Sequence, residues 1–176
     1  MLVLYVLWAV GLLFILFGFI AIFAGPRGRG VPYVPTSRRR IETMLRLAGD
    51  VRGKRVLDLG SGDGRLVITF ASAGAVAHGY ELNPVLVWWA RTRVLLRGLR
   101  GRAHIHWGNY WNVNTSRFDI ITVFGLRPMM GDLEKKLKRE THEGTRILSN
   151  TFEFPNWKSV ADENDIHVYV QGSQKQ

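Results

Sequence analysis

Residues 2–24, LVLYVLWAVGLLFILFGFIAIFA, contain no charged side chain and no proline, whereas all 24 Lys and Arg and all 14 Asp and Glu follow position 26. A chain divided in this way folds as an apolar head joined to a basic body of net charge +10, not as one ordinary soluble unit. As a helix the head spans roughly 34 Å at ~1.5 Å per residue, against a hydrocarbon core of about 30 Å. A secretory signal peptide needs basic residues before the run, an apolar stretch of only about 7 to 15 residues and a small-x-small cleavage site. Nothing basic precedes this run, and Ile22-Phe23-Ala24 is a poor cleavage site. The expectation is a transmembrane anchor over residues 1–25. Arg27, Arg29, Arg38, Arg39 and Arg40 follow it closely, so the positive-inside rule predicts a single pass with the amino terminus outside and the body in the cytoplasm. Those arginines would lie beside anionic headgroups, at about 1 kcal/mol each, which makes membrane lipid an expected partner. Gly11 and Gly18 lack the four-residue spacing of a helix-packing face.

The body reads as alternating strands and helices. Residues 26–50 begin within a proline- and glycine-rich linker, GPRGRGVPYVPTS over 25–37, and continue as a helix stripe of Ile41, Met44, Leu45 and Leu47. Strands are predicted over 55–60, 75–82, 103–107, 118–125, 145–152 and 166–170, with helices over 64–73, 84–97 and 129–140. Pro84 suits a first helical position, and Asp132, Glu134, Lys138 and Arg139 predict a charged outer face for the last helix. Over residues 51–176 this predicts an α/β domain: a mostly parallel sheet, helices on both faces, and a ligand cleft at the carboxyl ends of the first strands. The absence of cysteine excludes disulfides, thiolate metal sites and a cysteine nucleophile.

The chemistry concentrates in VLDLGSGDGR, residues 56–65, an apolar strand running into three glycines and then a helix. Gly60, Gly62 and Gly64 follow a G-x-G-x-G spacing, whereas the dinucleotide fingerprint places its third glycine one residue later, which argues against NAD. Glycine lets the backbone turn sharply and a ligand approach without a Cβ in the way. Asp58 ends the strand, where a carboxylate can hold a cationic or hydroxyl-bearing ligand and would repel a pyrophosphate. Glu81, 21 residues after Gly60, ends the next strand in GYELN, where an acid can accept both hydroxyls of a ribose. Either feature alone is a common turn or helix cap; in this order and at this spacing they predict a nucleoside site.

These residues resemble the class I S-adenosylmethionine-dependent methyltransferases, whose first motif is an acid followed by G-x-G-x-G and whose second is an acid at the end of the next strand. The resemblance covers nearly all of residues 31–170. It narrows on VPYVPT (31–36), LDLGSGDGR (57–65), GYELNPVLVWWAR (79–91), FG followed by PMM (124–130), LEKKLKRE (133–140) and FEFPNW (152–157). These segments look like the protein-lysine methyltransferases that modify the ATP synthase c subunit and the adenine nucleotide translocase, and their bacterial and archaeal relatives. The resemblance implies a Rossmann-like fold, S-adenosyl-L-methionine as cofactor, and as acceptor a lysine of a protein substrate such as a small membrane protein. Asp58 and the glycine turn would hold the methionine end of the cofactor, Glu81 its ribose, and Tyr33 to Thr36 would fold over cofactor and acceptor. Ser61, Leu82 and Tyr110 complete the implied cofactor set. Where relatives carry an Asp to accept from the adenine amino group, this chain has Asn109, whose amide oxygen still accepts but without charge. The chain stops soon after the sixth predicted strand, so an incomplete terminal hairpin is expected.

Methyl transfer to lysine needs a neutral amine, and a side chain of pKa about 10.4 costs roughly 4 to 5 kcal/mol to present neutral at pH 7. An apolar aromatic channel lowers that cost by desolvation. Its walls are assigned to Tyr33, Trp111, Phe124, Phe154 and Trp157, with no general base; for any one of the aromatics, core packing is an equal alternative. His104 and His106 share a strand face but lack a third ligand at matching spacing, so no metal is expected. Trp88 and Trp89 read as packing. The arginines from Arg91 to Arg102 read as a solvated face, with a docking surface for lipid or an acidic partner as the minority reading. The net charge raises a nucleic-acid methyltransferase as an alternative. FGLRP (124–128) lacks the [DN]-P-P-[YF] tetrapeptide of amino-methylating nucleic-acid enzymes, so nucleic acid is not an expected partner. A small-molecule methyltransferase or a non-catalytic cofactor-binding module would use the same nucleoside site.

Overall fold

The computed structural model describes residues 1–23, with backbone alone at 17 and 19–23, and residues 33–173. Residues 24–32, which include most of the predicted linker (25–37), lie outside the described residues. Helix α1 covers Leu2–Phe23. Among the described residues no helix is long and apolar enough to cross a membrane.

Helix α2 (Arg38–Ala48) begins at Ser37, whose hydroxyl accepts from the Arg40 amide; of the predicted stripe it buries Ile41 and Met44, leaves Leu45 and Leu47 partly buried, and adds Ala48. From there the chain alternates: β1 (Arg55–Leu59), α3 (Arg65–Ser72), β2 (Val76–Glu81), α4 (Pro84–Leu96), β3 (Ala103–Trp107), β4 (Ile120–Val123), α5 (Arg127–Glu140) and β5 (Arg146–Asn150). Strands β6 (Ala161–Glu163) and β7 (Ile166–Val170) follow. The sheet order is β3-β2-β1-β4-β5-β7-β6. Strands β1 to β5 are parallel, and β7 runs antiparallel between β5 and β6.

Alternation along each strand sends side chains to two cores. Val56, Ala77, Ile105 and Ile120 pack with α2, α3 and α4. Leu57, Leu59, Ile121 and Ile147 pack with α5 on the other face. Between β3 and β4 there are only two short 3-10 turns, Tyr110–Asn112 and Thr115–Arg117. The order reverses between β1 and β4, which opens the sheet at their carboxyl ends, the place where ligands bind in folds of this kind.

Two expectations are corrected. The terminal hairpin is complete: β6 and β7 are joined through Asn164 and Asp165, with φ of 52° and 59°, a two-residue turn of the hairpin type. Strand β6 is exposed along its length, so it carries no apolar signature. The charged face of α5 is only partly outward, because Glu134 is buried, accepting from Lys138 and from the Asn156 amide.

Candidate active site

Strand β1 runs into Gly60, Gly62 and Gly64, with φ of 85°, 53° and 74°, a backbone that only glycine adopts without strain. The turn is tied to β2. The amides of Gly60 and Ser61 both donate to the Tyr80 carbonyl at 3.0 Å, and the Gly62 amide donates to Glu81 Oε2 at 2.9 Å. Glu81 Oε1 accepts from the Asn83 amide at 2.8 Å, so backbone donors aim the carboxylate while each oxygen keeps a lone pair for a hydroxyl.

Asp58 is buried two residues before the turn, in register with Thr122 of β4, whose hydroxyl donates to it at 2.7 Å. Burial pushes its carboxyl up to about 7; the Thr122 hydrogen bond opposes this, and the negative charges of Glu81 and Asp63 reinforce it. The Ser61 hydroxyl is buried without a hydrogen-bond partner, and at Gly60 the space a side chain would fill is open. A buried acid, an orphaned hydroxyl and a turn stripped of side chains fit a ligand that brings a cation together with hydroxyl groups.

The segment Tyr33–Thr36 crosses this turn. The Tyr33 ring lies where Gly62 has no side chain, since a Cβ there would stand 2.7 Å from Tyr33 Cε2. Arg65, at the start of α3, holds the segment down: it donates to the Thr36 carbonyl at 2.8 Å, to the Tyr33 hydroxyl at 3.4 Å and to Asp63 at 2.8 Å. Asp63 is also bound by Arg93 of α4. Burial opposes charge on Asp63, but the two guanidiniums outweigh it and hold the carboxyl below its ordinary range. Burial and the Asp63 charge push the Tyr33 hydroxyl up. At its far end the buried Thr36 accepts from Asn150 at 3.4 Å, and Arg40 reaches Asn150, Thr151 and Asp165. Asp63, Arg65 and Arg93 escape a motif reading, because an acid and bases near a glycine turn read as solvated charge.

The remaining predicted residues divide. Leu82 is half-buried, and its carbonyl accepts from Trp107 Nε1 at 3.0 Å. The Asn109 side-chain oxygen already accepts from the Trp111 amide at 3.0 Å, capping the turn at 110–112. Tyr110 is buried in the core on the α5 side, and burial pushes its hydroxyl up to about 12. Trp111 packs against that core. Phe154 and Trp157 are buried there as well, with ring centroids 4.8 and 5.6 Å from Tyr169. Phe124 instead stacks on Phe152 at 6.4 Å, both partly exposed, beyond the ends of β4 and β5. The five aromatics therefore do not form one surface, and Phe152 is an addition that its F-x-F spacing to Phe154 could have suggested. His104 and His106 gain His78 of β2 as a stacked neighbour, but no group of His, Asp and Glu among the described residues is placed to hold a metal ion.

Residues 58–161 match the family described as the ANTKMT methyltransferase domain. The ATP synthase c-subunit lysine N-methyltransferase of Rattus norvegicus is 42% identical over 137 residues, 77% of this chain and 63% of that protein. The protein-lysine N-methyltransferase of Saccharolobus islandicus (strain REY15A) is 36% identical over 155 residues, 82% of this chain and 96% of that protein. Among solved structures, an RNA methyltransferase from Salinibacter ruber in complex with S-adenosyl-L-homocysteine superimposes with a TM-score of 0.72 at 30% identity, covering 78% of this chain and 92% of that one. The chain spans 63%, 54% and 51% of the length of the rat, human and mouse relatives. The family match begins at Asp58 and takes in the whole glycine turn and Glu81, and the separate alignment with the archaeal relative covers nearly all of that protein; the chain belongs to the ANTKMT methyltransferase domain family.

Proposed function

We propose that this chain is an S-adenosylmethionine-dependent protein-lysine N-methyltransferase held at a membrane, with a membrane or membrane-adjacent protein as its acceptor. The observation that carries the reading is the arrangement of Asp58, the glycine turn and Glu81 beneath the Tyr33–Thr36 segment. S-adenosyl-L-methionine supplies a methyl group already activated on a sulfonium. Asp58, ionised, faces its cationic end; Glu81 accepts from the ribose hydroxyls; Tyr33 closes over the turn and excludes water. Gly60, Ser61, Gly62 and Gly64 line the approach, with Leu82, Asn109 and Tyr110 on the adenine side. Tyr33 over the turn and Phe124 beyond the end of β4 border the acceptor approach, with Trp111 packed against and Trp157 packed in the core on the α5 side, so that desolvation favours a neutral lysine amine. No residue serves as general base.

The lysine acceptor is supported by relatives named for methylating lysine in the ATP synthase c subunit and in the adenine nucleotide translocase. The membrane location is supported by the uncharged sequence of residues 2–24 and the helical course of Leu2–Phe23. The arginines that follow orient the body to the cytoplasm.

Incubating membranes of the source cells with the full chain and radiolabelled cofactor tests this reading. Label is expected on lysine of a small membrane protein, and is lost with Asp58→Ala combined with Glu81→Ala. Label in RNA would instead make the chain an RNA methyltransferase, as its Salinibacter neighbour is named. Cofactor binding with no label anywhere would make it a binding module.

A further inference from the structure

Helix α4 has an apolar face on both sides. Leu86, Val87, Ala90 and Val94 are buried against the sheet, yet on the outer side Trp88 is 66% and Leu96 79% exposed, with Trp89 and Leu95 also open. An exposed apolar patch of this kind marks an interaction surface. Helix α1 packs against α4 without covering these side chains, and nearly all of its own described side chains are exposed. The two helices therefore present adjoining apolar surfaces.

Basic charge lines the same region. Residues 91–102 contain Arg91, Arg93, Arg97, Arg100 and Arg102 and no acid. Arg93 is neutralised by Asp63, but among the described residues no carboxylate pairs with the other four. Arg91 donates through Nε to the Ile105 carbonyl at 3.0 Å, on the open edge of β3. Between α4 and that edge lies a cavity of about 450 Å³, lined among others by Trp88, Arg91, Leu95 and Arg100. It joins two guanidiniums to an indole and a leucine, so its occupant must bring an anion and hydrocarbon together.

We propose that this cavity is a headgroup site for an anionic phospholipid, with the phosphate at Arg91 and Arg100, the apolar part against Trp88 and Leu95, and the outer face of α4 lying in the bilayer interface. Guanidinium groups bind phosphate through paired N–H donors. Tryptophan concentrates at headgroup depth, and unneutralised arginines draw a surface toward anionic lipid. A nucleic-acid phosphate would satisfy the arginines but leave Leu95, Leu96 and α1 in water. The site rests on the reading of α1 as a membrane anchor, and adds which face the body turns to the bilayer.

The test uses the full chain in phosphatidylcholine nanodiscs containing a minor fraction of phosphatidylglycerol. Either the phosphatidylglycerol or an equal amount of phosphatidylcholine is brominated, and quenching of tryptophan fluorescence is read. Quenching by the brominated anionic lipid should exceed that by the neutral one about twofold, reflecting local enrichment at the arginines. Arg91→Gln with Arg100→Gln should abolish the excess and keep the neutral-lipid quenching; Arg100→Gln alone, at an exposed side chain, should reduce it and guards against misfolding of the double variant. Equal quenching by both lipids in the unsubstituted chain overturns the headgroup site while leaving the anchor intact. Failure to enter nanodiscs of either kind overturns the anchor instead. Loss of the excess on adding inorganic phosphate or a short RNA assigns the cavity to a soluble anion and overturns the lipid.

Discussion

Asp58 is the side chain on which cofactor binding should depend most steeply. Its buried carboxyl, raised to about 7, is largely protonated in mildly acidic solution, whereas a cationic ligand favours the ionised form. Binding must therefore release a proton whenever the pH lies below that value. Affinity for S-adenosylmethionine, measured by calorimetry, should rise about tenfold from pH 6 to pH 8, since each pH unit below the pKa withholds ~1.36 kcal/mol. Asp58→Asn should bind weakly and lose this slope; a flat profile in the unsubstituted chain would mean that Asp58 does not meet the cation. In the ligand-free chain the same raised pKa works the other way on folding. Its contribution is fully present below the unfolded value of about 3.9 and is lost as pH rises through about 7. At this scale Asp58, the three glycines and Glu81 are legible in the sequence because their chemistry depends on local spacing along two strands. Thr122 is not, because it reaches Asp58 only through the pairing of β1 with β4.

The strap from Tyr33 to Thr36 rests its Tyr33 ring on Gly62, and Arg65 ties it by hydrogen bonds to the turn at the start of α3. Charged hydrogen bonds of this kind contribute about 1.5 to 3 kcal/mol each when partly buried. Arg65→Gln should weaken cofactor binding at least about tenfold by the loss of one such bond, and should speed exchange of the Tyr33, Val34 and Thr36 amides while leaving β1 and β4 protected. Arg65→Lys should restore little, because one ammonium cannot reach the Thr36 carbonyl and Asp63 with the geometry of a planar fork. Unchanged exchange over 33–36 in Arg65→Gln would show that Asn150 and Arg40 hold the strap without it. Elements with an apolar rhythm, β1 to β5, β7 and the helices, are readable from sequence because burial imposes the rhythm. Strand β6 has none, since every one of its residues is exposed, and only the Asn164-Asp165 turn signals it. The aromatics of FEFPNW are ambiguous for the opposite reason: the same residue types would serve a channel or a core, and Tyr169, which draws Phe154 and Trp157 inward, lies on a strand further along the chain.

Across the whole molecule, the two apolar cores are closed without α1. Every buried apolar residue among those described lies between Ile41 and Tyr169, and the described side chains at the start of the chain are exposed instead. Deleting residues 1–26 should therefore cost the fold little, with a melting temperature within about 2 to 4 °C of the full chain, the shift that ~1 kcal/mol produces at this size. Membrane attachment should respond quite differently. The full chain should float with neutral and anionic liposomes alike, because burial of an uncharged helix does not depend on headgroup charge. The shortened chain should leave neutral liposomes and keep only a weak attachment to anionic ones, through the unpaired arginines of residues 91–102, that fades as salt shortens the Debye length. A shortened chain that loses cooperative unfolding would instead make α1 part of the body, with its contact to α4 structural. That outcome would explain both exposed surfaces by mutual packing and remove the need for a bilayer. The ratio of the two effects, large on flotation and small on melting, is what distinguishes an anchor from a misplaced core helix.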